Sequence, residues 1–234
     1  RGPGSRGVST NDALPLKWDY GKRTNIEWEV ETQGRGWSSP IVTDGKIYYS
    51  TVVNEGATEA AKKGLYFGGN RAAPPKGVHH WLIICRDLTS GKLEWKKEVH
   101  HGIPSGSIHV KNSFASETAV TDGEHLYVSF GHLGIFCVDL KGELIWQRRG
   151  KASKTRYDWG TAASPVLYKD KLFIVDDNEE QSTLLALDKA TGKELWRAKR
   201  PEGSNWATPF VWENSQRTEL VTPGTGMNRV YSLE

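Results

Sequence analysis

An all-β fold is predicted by three features of the chain: its aromatic and glycine content, a segment spelled three times, and short apolar runs separated by polar turns. Ten Trp, eight Tyr and 25 Gly stand against a single Met in 234 residues, a composition rich in strand and turn formers. The repeated segment reads CRDLTSGKLEW at Cys85 to Trp95, CVDLKGELIW at Cys137 to Trp146 and ALDKATGKELW at Ala186 to Trp196. Its tryptophans lie 51 and 50 residues apart, with Gly91, Gly142 and Gly192 each four positions earlier. Each copy reads as a hairpin: an apolar strand, a turn led by Asp87, Asp139 or Asp188, and a second strand carrying the Trp. The Asp carboxylate can bond the turn's own backbone, and Gly supplies the positive φ.

A second hairpin precedes each of these, at Ser38 to Thr51, Ser116 to Phe130 and Ala163 to Asp177. A further start at Ala207 to Pro223 is followed by VYSLE, Val230 to Glu234, which matches LLALD of the third copy. Four antiparallel strands per repeat of about 50 residues are the signature of a β-propeller. Pro40, Pro165 and Pro209 share one aligned position in the first strand of three repeats. Proline lacks the donor a central strand needs, so that strand is an edge, the innermost strand of a blade. The repeated Trp then packs between neighbouring blades. Blades are expected at about 36–99, 113–149, 160–199 and, partial, 205–234, after an extended leader over 1–24. Residues 25–30 (NIEWEV) are expected to pair as the outer strand that closes the ring, or to complete the fourth blade of a four-bladed one.

The run Ala186, Asp188, Thr191, Gly192, Trp196 resembles the tryptophan-docking motif of the PQQ (pyrroloquinoline quinone) type propeller family, and the other two copies match with Cys for Ala and one deletion. The match extends from about Trp28 to the end of the chain. The resemblance implies a ring of seven or eight blades, of which this sequence is a fragment, and, from the leader, an exported, periplasmic or cell-envelope bacterial protein. It also implies two functional classes. Scaffold members offer a loop face to a protein, peptide or glycan without catalysis. Quinoprotein dehydrogenases use PQQ and calcium to oxidise alcohols or sugars, often with a disulfide between adjacent cysteines over the cofactor. This chain has no adjacent cysteines: Cys85 and Cys137 occupy the position of Ala186 and read as core thiols. The scaffold reading, with no resident cofactor, is preferred, because the motif is structural and implies the fold and not the quinone.

A formal net charge of +3, with Lys and Arg interspersed among Asp and Glu, argues against nucleic acid as a partner. No apolar run approaches the 18 or more residues of a membrane span. Strand-to-strand turns on one face are tight, whereas the connections of the other face are long: Asn54 to His80, Glu98 to Ser116, Arg148 to Thr161, Asp176 to Ser182 and Arg200 to Trp206. Binding groups are expected there. Glu117, aligned with Ser39, Ser164 and Thr208, puts a carboxylate where other blades carry hydroxyls, to contact a ligand or pair with Lys111 or Arg156. Trp37 and Trp206, aligned with Ala115 and Ala162, stack a planar ligand or plug the blade tops. Asn112, Asp158, Trp159 and Asn205 complete the loop candidates, with His100, His101 and His109, whose clustering is the one hint of a transition-metal site or hydrolase. Asp177, Asn178, Glu179 and Glu180 offer oxygen ligands of the kind calcium takes, without the spacing of a calcium loop.

Overall fold

A computed structural model describes residue 11 and residues 13–56 and 76–233; the first ten residues of the leader and most of the long connection after Asn54 lie outside the described residues. The strands form antiparallel sheets in sequence order. The first blade comprises β1 (Ile41–Thr43), β2 (Lys46–Asn54), β3 (His79–Asp87) and β4 (Leu93–Gly102). The second comprises β5 (Val120–Thr121), β6 (His125–Ser129), β7 (Gly134–Asp139) and β8 (Leu144–Arg149). The third holds β9 (Val166–Tyr168), β10 (Lys171–Asp176), β11 (Thr183–Asp188) and β12 (Glu194–Lys199). The fourth holds β13 (Phe210–Glu213), β14 (Thr218–Thr222) and β15 (Arg229–Ser232). Each first strand is an edge, and Pro40, Pro165 and Pro209 sit immediately before three of them, where a missing donor costs no ladder bond.

The blades are joined by the repeated tryptophan. The Trp95 indole N–H donates to the Leu140 carbonyl at 3.0 Å, and Trp146 to Lys189 at 2.9 Å. Both acceptors lie in the Asp-led turn of the next blade. Gly142 and Gly192, at φ +90° and +70°, present backbone to the ring, and a Cβ on either would come within 3.0 and 2.5 Å of it. Glycine is required there twice over, for conformation and for clearance. The turn is set by its aspartate: Asp188 Oδ1 accepts the Thr191 amide and hydroxyl, and Asp87 does the same for Ser90. In the second blade, one residue shorter, Asp139 bonds the amides of Lys141 and Glu143 instead. Opposite each Trp lies the small residue of the motif: Cys85 pairs Trp95, Cys137 pairs Trp146 and Ala186 pairs Trp196, with a bulge beside every pair. Both cysteines are free and buried; burial pushes the Cys137 thiol up to about 12, with Asp122 and Asp139 adding to it.

Residues 25–30 stand at the edge of the described structure. They form no strand ladder among the described residues, and β15 pairs only with β14, so the segment does not complete the fourth blade among them. An outer strand needs a third strand beside it, and the strand beside 25–30 would have to come from a blade the described residues do not hold. The segment still docks: Trp28 donates to the Leu88 carbonyl at 2.9 Å, over Gly91.

Apolar clusters fill the blade interfaces. Tyr48, Ile83 and Cys85 meet Leu126, Val128 and Phe136; Tyr127 and Cys137 meet Leu172 and Leu187; Phe173 and Leu184 meet Leu220. The Lys189 ammonium lies 2.8 Å from Asp122. Burial pushes that carboxyl upward, but Lys189 and the turn amides outweigh it and hold it well below the usual carboxylate range. At the inner edge the Ser39 amide donates to Thr118 Oγ1, Thr118 to Ser164 Oγ, and Ser164 to Thr208 Oγ1.

Trp146→Ala is expected to cost about 3–5 kcal/mol by emptying a large aromatic site, and Gly192→Ala to be destabilising through both its left-handed φ and the clash with the indole. Urea unfolding midpoints of both variants check this; Leu195, exposed one position before Trp196, serves as a control whose truncation moves the midpoint little.

Candidate functional site

The inner-edge hydroxyl ladder resets the alignment of the blades. Thr118, not Glu117, stands with Ser39, Ser164 and Thr208. Glu117 therefore takes the place of Ser38, Ala163 and Ala207, and the partners of Trp37 and Trp206 are Ser116 and Ala162 in place of Ala115 and Ala162. The two-residue strand β5 obscured the register, since it carries no proline to mark it.

Glu117 is 2% exposed. Its Oε1 accepts the Thr161 hydroxyl at 2.6 Å. Neither Lys111 nor Arg156 pairs with it: Lys111 is exposed and its amide bonds His109, while the Arg156 guanidinium lies over the Tyr157 ring. Burial raises the Glu117 carboxyl above the usual range, only partly opposed by Thr161 and by the amides of Glu117 and Ser116. Gly131, at φ +54°, makes room: a Cβ there would stand 1.9 Å from Thr161 Oγ1 and 2.9 Å from Glu117 Oε1.

Two cavities meet at this carboxyl, each lined by the long connections. One, of about 290 Å³, lies between the second and third blades and is bordered by Glu117, Gly131, Lys151, Thr161, Asn205 and Trp206. The other, of about 120 Å³, has walls of Trp81, Phe114, Phe130 and Leu133, with Glu117, His100, His132 and Thr161. His100 and His132 are both shifted downward by burial, which outweighs the field of Asp176 at His132 and reinforces that of Arg149 at His100.

Several candidates from the sequence converge beside them. Trp206 donates its indole N–H to the Gly160 carbonyl at 2.7 Å and packs on Trp159 at 5.7 Å between centroids. Trp159 in turn meets His109 edge-on at 5.0 Å and Tyr157 at 5.1 Å. Tyr157 and Asp158 both have left-handed φ, 56° and 53°, which turns the chain to bring this aromatic cluster together. Asn112 donates to the Trp159 and Thr161 carbonyls, stapling the second blade to the third. Trp37 stands apart and 55% exposed, held by its backbone to Ala115.

Other candidates are committed elsewhere. Asp177 meets Arg200 through two hydrogen bonds at 2.7 and 3.1 Å, with both side chains fully buried, and Asn205 bonds the Pro223 carbonyl. Asn178 closes its own loop, Glu179 accepts the Ser204 amide at 3.0 Å, and Glu180 receives the Lys154 amide. The four acidic-loop oxygens are thus spread over four sets of partners, and no group of three metal-ligating side chains occurs among the described residues. His79, His80, His100 and His101 belong to the long strands β3 and β4, not to loops; His80 lies 2.8 Å from both Glu55 and Glu98, and His101 2.8 Å from Glu98. Sequence reasoning missed Thr161, Gly131, Trp81 and His132. Only Gly131, beside an apolar strand, carried a signal.

Because the folded-state pKa of Glu117 is raised, its contribution to stability is full below the unfolded value of about 4.3 and is lost as pH rises through the folded value. Glu117→Gln is expected to raise the melting temperature at pH 8 and to match the parent below about pH 4, checked by thermal scans across pH. Arg200→Met, which strands a buried Asp177 charge, is expected to cost about 3–5 kcal/mol, read by urea unfolding, with Asp177→Asn added to it restoring part of the loss.

The family described as outer membrane protein assembly factor BamB matches residues 80–226 of the 234. An outer membrane protein assembly factor BamB from Burkholderia pseudomallei (strain K96243) is 23% identical over 207 residues, which cover 79% of this chain and 50% of that protein. The chain thus spans about half the length of this curated relative. Among solved structures, the quinohemoprotein alcohol dehydrogenase ADHIIG of Pseudomonas putida HK5 is similar at a TM-score of 0.50 and 15% identity, over 83% of this chain and 29% of that one. BamB from Moraxella catarrhalis is similar at a TM-score of 0.37 and 15% identity, over 82% of this chain and 59% of that one. At such identity the dehydrogenase likeness speaks to the fold alone. With well over half of the chain matched and its tryptophans docked blade to blade, the protein belongs to the PQQ_2, BamB-type family of β-propeller repeats.

Proposed function

We propose that the protein is a non-catalytic propeller scaffold of the bacterial cell envelope that holds a polypeptide partner on its loop face. The observation that carries the reading is the asymmetry of the two faces. The turns that receive the tryptophans are short and consumed by docking, whereas the long connections surround two cavities and an aromatic cluster of Tyr157, Trp159 and Trp206. Aromatic rings on a rigid base offer large contact area at small entropic cost, as protein-binding surfaces do. The polar groups around them are tied to one another, which suits a fixed receiving surface. Family membership supports the same reading: the Burkholderia relative is named for assembling outer membrane proteins, and a scaffold in that process works on other polypeptides in the envelope.

The test places a photo-crosslinking amino acid at Tyr157, on the loop face, or at Thr89, in a tight turn, of the protein in its native cells. A crosslinked envelope polypeptide is expected from position 157 and not from 89. Equal yields from both, or none from 157, would overturn the reading, as would stoichiometric uptake of PQQ in the presence of calcium.

A further inference from the structure

We propose that Glu117, at the wall shared by the two cavities, receives the ammonium group of a lysine side chain presented by the bound polypeptide. The inference rests on the scaffold reading and names the group that the scaffold grips. Its first support is a buried acidic group that lacks an ionic partner. A carboxyl buried as deeply as Glu117 is costly unless paired, yet its side-chain partner among the described residues is a neutral hydroxyl, Thr161, and no ion pair reaches it. A cation from outside would complete it.

The shape of the smaller cavity says which cation. Its walls are Trp81, Phe114, Phe130 and Leu133, with Glu117 and Thr161 in its lining. An unbranched alkyl stem fits such walls, and aromatic faces favour a cation passing over them. The cavity is small, about 120 Å³, which suits a slender unbranched side chain better than a branched or planar one. The histidines that line it, His100 and His132, are held toward the neutral form by burial, so they do not repel a positive charge. The Trp81 indole N–H of this wall is buried without a hydrogen-bond acceptor. The larger cavity is less suited to a cation, since Arg148, Arg149, Lys151 and Arg197 border it and outnumber Asp176 and Asp177.

The test titrates Nα-acetyl-lysine amide into the protein, followed by tryptophan fluorescence and calorimetry, beside Nα-acetyl-norleucine amide, which keeps the stem and lacks the ammonium. Loss of a charged hydrogen bond is worth about tenfold or more in affinity, so norleucine is expected to bind at least about tenfold more weakly, and Glu117→Gln to weaken lysine by a similar factor. Equal affinity for norleucine, undiminished binding by Glu117→Gln, or no lysine binding by the parent would overturn the proposal. If Glu117→Gln fails to fold, the lysine and norleucine comparison on the parent decides alone. Tighter binding of n-butylammonium than of the lysine probe would assign the site to a free amine and overturn the polypeptide source. Crosslinking at position 157 without lysine binding would remove this site and leave the scaffold standing; lysine binding without crosslinking would do the reverse.

Discussion

An indole laid flat on a glycine turn, its N–H held by the neighbouring carbonyl, is the contact on which the other features of this chain rest. It fixes the distance between blades, because the ring is the spacer. It also dictates the sequence at three further positions: the aspartate that shapes the turn, the glycine whose missing Cβ admits the ring, and the small Cys or Ala that lies across the ladder from the Trp. The apolar clusters between sheets are then filled by strand residues brought to a set separation.

That rigidity is what permits an irregular loop face. Blades pinned at their outer strands by tryptophan and at their inner edge by the chain of serine and threonine hydroxyls leave their connections free to vary in length and chemistry. The buried Asp177–Arg200 pair and the Asn112 staple extend the same stiffness into the loops. Glu117 is an unusual expense within this frame: a carboxyl where neighbouring blades place serine or alanine, sheltered by a glycine that cannot be replaced without displacing it.

The blades, their strand order and the interblade tryptophans were legible because they repeat, and repetition reveals register without any knowledge of contacts. Where the repeat is degenerate, register is harder to see in the sequence. The second blade lacks the inner-strand proline, and there the structural register differs by one residue from the alignment of Glu117 with Ser39, Ser164 and Thr208. Residues 25–30 resemble an outer strand in spelling, and their Trp28 docks on the first blade as the repeated tryptophans do on theirs. The acidic loop looked like a cation site by composition; its carboxylates face amides and a guanidinium brought from other parts of the chain. Partners such as Thr161 and Trp81 lie 44 and 36 positions from Glu117 in sequence, and no local pattern joins them to it.

The direction of docking has a consequence for the chain as it is made. Each tryptophan precedes the turn that receives it, by 60 residues for Trp28, 45 for Trp95 and 43 for Trp146. During synthesis at about 5–20 residues per second, a newly emerged blade therefore exposes its indole for some seconds before its acceptor exists. The newest blade is then the sticky one, and the first and second blades are sealed by their successors. Assembly of these blades is in this sense a ratchet that runs from earlier blade to later, with one unsatisfied aromatic ring carried at its leading end.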